Sequence, residues 1–211
     1  MPIFEPVRER VEILPTVFFI THPDVVIDPG MPVPDWPLNK RGRARMSAMI
    51  AQPWVRGVRR VFASGEYKAR EAAQILADGL GLGGYTIIDD LGEIDRSATG
   101  YLPKQEFEAM ADTCFANPQK SVRGWEPATV AQGRIVGAIE AILSQADDVD
   151  VAIIGHGGTG TLLYCQLAGR PIDRRYDQPA TNGGNWFAFN GASRQFLNDG
   201  WRSIDPSARP D

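Results

Sequence analysis

The chain has 211 residues, of which 43% are hydrophobic and 23% are charged, and its formal net charge at pH 7 is −4. This length and composition are typical of one globular domain with a substantial core, and a net negative chain is a poor candidate for nonspecific binding to nucleic acid. No apolar stretch approaches the length of a membrane span and the first 16 residues are too charged for a signal peptide, so we expect a cytoplasmic protein without a membrane partner.

Apolar runs bounded by Gly, Pro or Asn alternate along the chain with segments of helical periodicity. Strands are predicted at residues 16–21, 58–63, 85–88, 150–155, 184–190 and 193–197. Helices are predicted at residues 38–51, 65–80, 104–115, 127–146 and 158–168. This alternation predicts an α/β fold, a three-layer sandwich with a central, mostly parallel sheet and helices on both faces. The turn residues Asn190-Gly191-Ala192 predict a hairpin of the last two strands, so the sheet is expected to be mixed.

The whole chain, residues 1–211, is expected to form a single domain with a short segment at each end. Residues 1–15 are predicted to form an arm before the first strand, and residues 198–211 a polar tail, loose or docked on a neighbour. Residues 89–103 and 170–185 are the longest irregular stretches between predicted elements. Loops of such length are often active-site loops, so these two are the first places to look for functional residues.

The only two histidines of the chain each follow a predicted strand directly. His22 follows the run that ends at Thr21, and His156 follows the run that ends at Gly155. The carboxyl ends of parallel strands meet at one edge of a sheet, where ligands bind in open α/β folds. A single histidine at a strand end is usually a loop residue with satisfied hydrogen bonds, but two in equivalent positions favour a functional pair. Imidazoles so placed indicate proton or phosphoryl chemistry.

The helix predicted after the second strand carries a cation in its first turn. Ser64 is placed to cap this helix, and Lys68 lies where the helix dipole opposes a positive charge. A bound anion would remove that conflict. The alternative is a solvated Lys68 that is balanced by Glu66.

The segment after the second histidine opens another predicted helix with small residues. Its first residues, Gly157 and Gly158, present free backbone N–H groups that suit an anion. The spacing Gly155-x-Gly157-x-x-Gly160 also matches a dinucleotide-binding fingerprint. Only about 50 residues follow it, which is too few for the two halves of a dinucleotide-binding fold.

The loop after the third predicted strand carries two carboxylates and an arginine: Glu93, Asp95 and Arg96. A carboxyl group beside a bound phosphate has its pKa raised by the like charge, which keeps it protonated for donation to a leaving group. An ordinary polar loop explains the same residues, so their functional assignment depends on the resemblance that follows.

The order of these motifs resembles that of the histidine phosphatase (phosphoglycerate mutase-like) superfamily, in register from about residue 16 to 190. The segments that carry the resemblance are Thr21-His22-Pro23, Pro37 to Ala44, Ser64 to Ala73, Leu91-Gly92-Glu93, Glu126 to Arg134 and Gly155-His156-Gly157-Gly158. The resemblance implies a phosphohistidine formed on His22, phosphoryl oxygens held near His156, and Glu93 as acid and then base, with Asp95 as the fallback acid. It implies no cofactor and no metal.

The chain departs from the family at the groups that clamp the phosphate. The family signature Arg-His-Gly is Thr21-His22-Pro23 here, and the second family arginine falls on Lys68. A lysine does not replace the bidentate fork of an arginine. We therefore assign phosphate binding to Thr21, Lys68, Gly157 and Arg96. Other arginines that are candidates to refill the pocket are Arg70, Arg41 and Arg45.

The leading hypothesis is a phosphomonoesterase that acts on a small phosphorylated molecule. A second hypothesis, prompted by the missing arginines, is a catalytically silent phosphate-ester or anion-binding protein of the same fold. A third is a dinucleotide-dependent enzyme that uses residues 155–160. The sequence does not identify the substrate, and it is compatible with a homodimer.

Overall fold

The computed structural model of the protein describes residues 15–145 and 149–206. The arm predicted at residues 1–15 lies, except for its last residue, outside this part of the chain, as do the last five residues of the predicted tail. The strands and α-helices of the described part are β1 (Thr16–Thr21), α1 (Lys40–Met49), β2 (Arg60–Ala63), α2 (Tyr67–Gly79), β3 (Thr86–Ile87), α3 (Lys104–Ala116), α4 (Ala128–Leu143), β4 (Val151–Gly155), α5 (Gly157–Leu167), β5 (Asn185–Asn190) and β6 (Arg202–Ser203).

The strands form one mixed sheet in the order β3-β2-β4-β1-β5-β6. The first four strands of that order pair in parallel, and β5 and β6 are added antiparallel. Because β1 and β4 are parallel neighbours, Thr21 at the end of β1 lies opposite Gly155 at the end of β4. The predicted mixed, mostly parallel sheet is therefore confirmed.

Helices cover both faces of the sheet because its strand side chains alternate between two apolar clusters. Phe18 and Ile20 of β1 pack with α1 and α2, whereas Val17 and Phe19 pack with α4 and α5. Helix α3 packs with α4 and α5 in a third cluster around Trp125. Because alternate side chains of each strand point to opposite faces, the apolar stripes of the helices pack on both faces and form the predicted three-layer sandwich.

The predicted strand 193–197 is wrong, because its region is reduced to an isolated bridge between Phe189 and Phe196. The Asn190 side chain accepts the N–H groups of Ala192 and Ser193 and holds a turn there. The edge strand is instead β6, inside the segment predicted as a polar tail. Ile204 explains the docking of that segment, since it is fully buried in the core next to α1 and α2.

Arg45 ties together three segments around the carboxyl edge of the sheet. Its guanidinium is 6% exposed and forms ion pairs of 2.8 Å with both Asp24 and Asp205. It also donates to the carbonyl groups of Thr181 and Gly183, at 3.1 Å each. The loop after β1, the loop before β5 and the C-terminal segment are thereby joined, so Arg45 has a structural role and is not the arginine that refills the predicted phosphate site.

Candidate active site

The two histidines lie side by side at the carboxyl edge of the sheet. Each directly follows one of two paired parallel strands, and the backbone N–H of His22 donates to the carbonyl of Gly155 at 3.0 Å. The centroids of the His22 and His156 rings are 5.2 Å apart, with an interplanar angle of 70°. The two histidines therefore meet at one edge of the sheet as predicted, and both line one cavity of about 560 Å³.

The cavity has two kinds of lining. Titratable and charged side chains come from four loops and helix starts, and they are His22, Glu66, Lys68, Glu93, Asp95, Arg96 and His156. An apolar wall adjoins them, formed by Val25, Pro32, Val33, Pro34, Trp36 and Ile94. A concave site with a few convergent polar groups and an apolar wall is typical of a site for a small organic ligand.

His22 is arranged as a neutral imidazole with a defined tautomer. Its Nδ1 lies 3.0 Å from the carbonyl oxygen of Pro23, so we assign the proton to Nδ1, which leaves the lone pair on Nε2. Burial, with Lys68 adding to it, lowers the pKa of His22 to about 4. The Pro23 carbonyl thus fixes the orientation and the tautomer of the His22 ring.

His156 is buried among polar groups that fix one of its nitrogens. Its Nε2 lies 2.8 Å from Ser64 Oγ and 3.4 Å from Glu66 Oε1. Burial lowers the pKa of His156 to about 3, although the charge of Glu66 acts in the opposite direction. The side chain is 1% exposed, and its Nδ1 has no hydrogen-bond partner in the described part of the chain.

Lys68 is buried rather than solvated, and its partner is Glu66. The side chain is 4% exposed, and its Nζ donates to the Val33 carbonyl at 2.9 Å and forms an ion pair with Glu66 Oε2. Burial by itself raises the pKa of Glu66, but His156 and Lys68 outweigh it and lower the pKa to about 2. The alternative of a solvated Lys68 is therefore wrong, although it named the right partner, and the sequence analysis did not include Glu66 among the site residues.

Glu93 occupies the helix N-terminus that the sequence predicted for a phosphate. Its carboxylate accepts the N–H groups of Ile94, Gly158 and Thr159, each at 2.9 Å. A Cβ at Gly158 would lie 2.6 Å from Glu93 Oε1, so the close approach requires a glycine there. Burial raises the pKa of Glu93, and the charge of Glu66 acts in the same direction, against the backbone hydrogen bonds.

Arg134 holds the loop that carries Glu93. Its guanidinium pairs with Glu126 at 2.7 Å and donates to the carbonyl groups of Gly92 and Glu93, at 3.0 and 3.1 Å. The Glu126-to-Arg134 segment that supports the family resemblance is therefore a brace behind the site. Nothing in its sequence spacing indicates which loop it braces, because those carbonyl groups are more than 40 residues away.

Thr21 does not reach the cavity. Its hydroxyl donates to Gln178 Oε1 at 2.7 Å and accepts the backbone N–H of Asn185 at 3.0 Å, and the side chain is 1% exposed. Gly157 does not line it either, and instead borders a second cavity of about 480 Å³ beside Gln178. Neither residue therefore lines the cavity that the two histidines share.

Arg96 is the arginine that reaches the histidine cavity. The carbon of its guanidinium group lies 4.8 Å from the centre of the Phe107 ring. Within residues 15–145 and 149–206, the guanidinium group makes no hydrogen bond, whereas the backbone carbonyl of Arg96 accepts one from the Thr99 hydroxyl. Arg41 and Arg70 are exposed and do not line the cavity. Lys68 and Arg96 are therefore the two cations of the predicted phosphate site that the fold brings to the histidines.

Metal clusters and membrane-spanning helices are both absent from the described residues. In residues 15–145 and 149–206, no group of three or more His, Cys, Asp and Glu side chains is arranged to hold a metal ion. No helix of the described chain is long and apolar enough to span a membrane. Cys114 and Cys165 are buried free thiols outside the cavity.

Comparison with known proteins points to one family. The family described as "Histidine phosphatase superfamily (branch 1)" matches residues 31–196. No curated protein matches the chain. Several solved structures share the fold at low sequence identity.

A mycobacterial glucosyl-3-phosphoglycerate phosphatase, solved with inorganic phosphate, superposes with a TM-score of 0.71 at 19% identity and covers 92% of this chain and 100% of its own. The YhfR protein of Bacillus stearothermophilus gives a TM-score of 0.72 at 18% identity, with 91% and 98% covered. A putative alpha-ribazole-5'-P phosphatase from Escherichia coli gives 0.65 at 18% identity, with 92% and 98% covered. At these identities the neighbours establish the shared fold.

Proposed function

Because the chain belongs to the histidine phosphatase superfamily, we propose that it is a phosphatase that transfers a phosphoryl group from a small phosphomonoester to His22 and then to water. The observation that supports this most directly is the arrangement of His22. The ring lines the cavity, its Nδ1 is tied to the Pro23 carbonyl, and its depressed pKa keeps it neutral at neutral pH. A neutral ring with a free Nε2 lone pair is the form that attacks phosphorus.

In the proposed first step, His22 Nε2 attacks phosphorus and the ester P–O bond breaks. Lys68, Arg96 and His156 are the donors available for the phosphoryl oxygens, on which charge is spread in the transition state. The leaving oxygen takes a proton from Glu93, whose raised pKa favours the protonated form. In the second step Glu93 accepts a proton from water, which attacks the phosphohistidine and releases phosphate.

Glu93 is favoured over the fallback acid Asp95. Both line the cavity. However, Asp95 Oδ1 accepts the N–H of Ser97 at 2.8 Å, and this hydrogen bond lowers the pKa of Asp95. A carboxyl group that stays ionised is a poor proton donor, so the acid role is assigned to Glu93.

The apolar wall favours a leaving group with an apolar or aromatic body. Trp36 contributes its ring to the wall, while its Nε1 donates to the carbonyl groups of Asp28 and Met31, at 2.9 and 3.2 Å. The wall therefore offers hydrophobic contact without a free hydrogen-bond donor from Trp36. A sugar hydroxyl would lose its hydration there without finding a partner, which is unfavourable.

The proposal is tested by turnover and by trapping of the intermediate. The purified protein is assayed against aryl, alkyl and sugar phosphates, and a single-turnover reaction is stopped in alkali, because phosphohistidine is labile in acid. We expect release of phosphate, preference for aryl esters, and a phosphate adduct on His22 that His22→Ala abolishes. Turnover that persists in His22→Ala would contradict the mechanism.

A silent phosphate-ester binder is the second candidate, and a specific observation favours it. Thr21 replaces a clamp arginine of the family and is committed to Gln178 and Asn185, so this part of the clamp is not rebuilt in place. A binder would show saturable phosphate binding by calorimetry with neither turnover nor an adduct on His22.

A further inference from the structure

One carboxylate already engages two of the donors that the proposed function assigns to the phosphoryl group. Glu66 Oε2 forms the ion pair with Lys68 Nζ, and Glu66 Oε1 lies 3.4 Å from His156 Nε2. Oε1 also accepts the backbone N–H of Glu93 at 2.9 Å. The two oxygens of Glu66 therefore bridge a buried cation and a buried imidazole, as two oxygens of a bound phosphoryl group would.

The Glu66 carboxylate is held firmly in this position. Its side chain is 15% exposed, so most of its surface is inside the protein. Lys68 cannot turn away freely, because its Nζ is also fixed by the Val33 carbonyl. A phosphoryl group that uses Lys68 and His156 must displace Glu66 or bind beside it, at the distance of a direct charge–charge contact.

The net charge of the groups that line the cavity also disfavours a ligand with two negative charges. The cations that line it are Lys68 and Arg96, whereas three carboxylates line it, those of Glu66, Glu93 and Asp95. The two imidazoles are neutral at neutral pH. Even with Glu93 protonated, the two cations only balance the other two carboxylates. Such a cavity offers no surplus positive charge for a ligand with two negative charges.

We propose that Glu66 is a specificity-determining residue that makes this site discriminate against doubly charged phosphoryl groups and accept singly charged ones. The inference rests on the proposed function, because it takes the Lys68 and His156 donors to be the phosphoryl-binding groups. Like-charge repulsion between Glu66 and the ligand is larger for a dianion than for a monoanion. A singly charged phosphoryl group is present in a phosphomonoester that keeps one proton and in a phosphodiester.

Equilibrium binding tests the inference without any need for turnover. Calorimetry measures the affinity of the intact protein for sulfate, which carries two charges, and for dimethyl phosphate, which carries one. We compare the wild type with Glu66→Gln, which removes the charge and keeps the shape, and with Glu66→Ala as a second variant. Glu140→Gln is the matched control, because this substitution changes the net charge by the same amount. Glu140 forms a surface ion pair with Arg194 and does not line the cavity.

We expect Glu66→Gln to bind sulfate at least ten-fold more tightly than the wild type, with a smaller gain for dimethyl phosphate and no change in Glu140→Gln. Sulfate affinity that is unchanged or weaker in both folded Glu66 variants would overturn the inference. If the wild type nevertheless turns over phosphate esters, the proposed function survives that result. If a Glu66 variant binds sulfate tightly while no protein turns over any ester, the inference stands and the phosphatase proposal fails.

The two sources of a singly charged group are separated by activity. Phenyl phosphate loses its second proton near a pH of about 6, whereas diphenyl phosphate keeps one charge throughout. Hydrolysis of phenyl phosphate that increases as the pH falls below that value indicates the protonated monoester, and hydrolysis of diphenyl phosphate indicates a diester. The inference would be contradicted if the wild type hydrolysed phenyl phosphate but not diphenyl phosphate, with a rate that increases as the pH rises above about 6.

Discussion

Replacement of Thr21 by valine should reduce stability rather than phosphate binding. Valine has nearly the shape of threonine, so the change removes the hydroxyl with little change in volume. The backbone N–H of Asn185, a fully buried residue, then loses its acceptor. Gln178 Oε1 keeps a second donor, the Asn185 side-chain amide at 3.0 Å, so it is not orphaned.

The magnitude follows from one buried unsatisfied donor and one lost hydrogen bond. A buried N–H group without a partner costs about 1–3 kcal/mol, and a lost neutral hydrogen bond about 1 kcal/mol. We therefore expect a loss of about 2–4 kcal/mol in the free energy of unfolding. For a chain of this size, that corresponds to a fall in Tm of roughly 4–16 °C.

Thermal unfolding followed by circular dichroism measures this change, with Thr21→Ser as the matched control. Serine keeps the hydroxyl and should retain most of the stability. Phosphate affinity should be similar in all three proteins, because Thr21 does not line the histidine cavity. A Thr21→Val protein with unchanged Tm and a large loss of phosphate affinity would refute this assignment and return Thr21 to the phosphate site.

Three further predictions concern the acid, the brace and the pH dependence. Glu93→Gln should reduce kcat roughly a hundred-fold or more on alkyl phosphates and much less on nitrophenyl phosphate, which needs little protonation; equal losses on both would exclude Glu93 as the acid. Arg134→Met should reduce kcat/KM at least ten-fold in steady-state assays by releasing the Glu93 loop, and full activity would show that the brace is dispensable. The pKa values of His22 and His156 in the folded chain lie below 6.5. Between about pH 6.5 and 4 the unfolded chain therefore takes up protons that the folded chain does not. The free energy of unfolding should decrease over this range as the pH falls. His156→Asn should flatten that decline in denaturant titrations, and an identical slope would contradict the buried neutral ring.

Local sequence signals predicted the parts of the site that depend on strand order alone. His22 and His156 follow apolar runs, and the rule that parallel strands present their carboxyl ends at one edge was sufficient to bring them together. The same reasoning failed where contacts cross long distances along the chain. Thr21 finds its partners 157 and 164 residues away, in a predicted loop and a predicted strand whose contacts with Thr21 the sequence does not reveal.

Burial was the other property that sequence spacing did not predict. The Glu66–Lys68 pair is visible in the sequence, but its removal from solvent depends on the Val33 carbonyl, which covers Lys68 from 35 residues away. The edge strand β6 was missed for a related reason. It has only two residues in a polar segment, and its pairing with β5 depends on the burial of Ile204 rather than on an alternating pattern.

The two helix N-termini predicted to attract a phosphate both have a carboxylate of the chain itself beside them. Glu66 directly precedes the first turn of α2, and Glu93 accepts the N–H groups at the start of α5. The electrostatic reasoning that predicted an anion at these ends was sound, because the positive end of a helix favours negative charge. In this protein the negative charge at both helix ends comes from the chain's own carboxylates. Under the proposed function, an incoming phosphoryl group must therefore compete with Glu66 and share the cavity with Glu93. Glu66 acts in the same direction as Thr21, which the family resemblance places at the position of an arginine, since each lowers the positive charge that the site offers to a dianion.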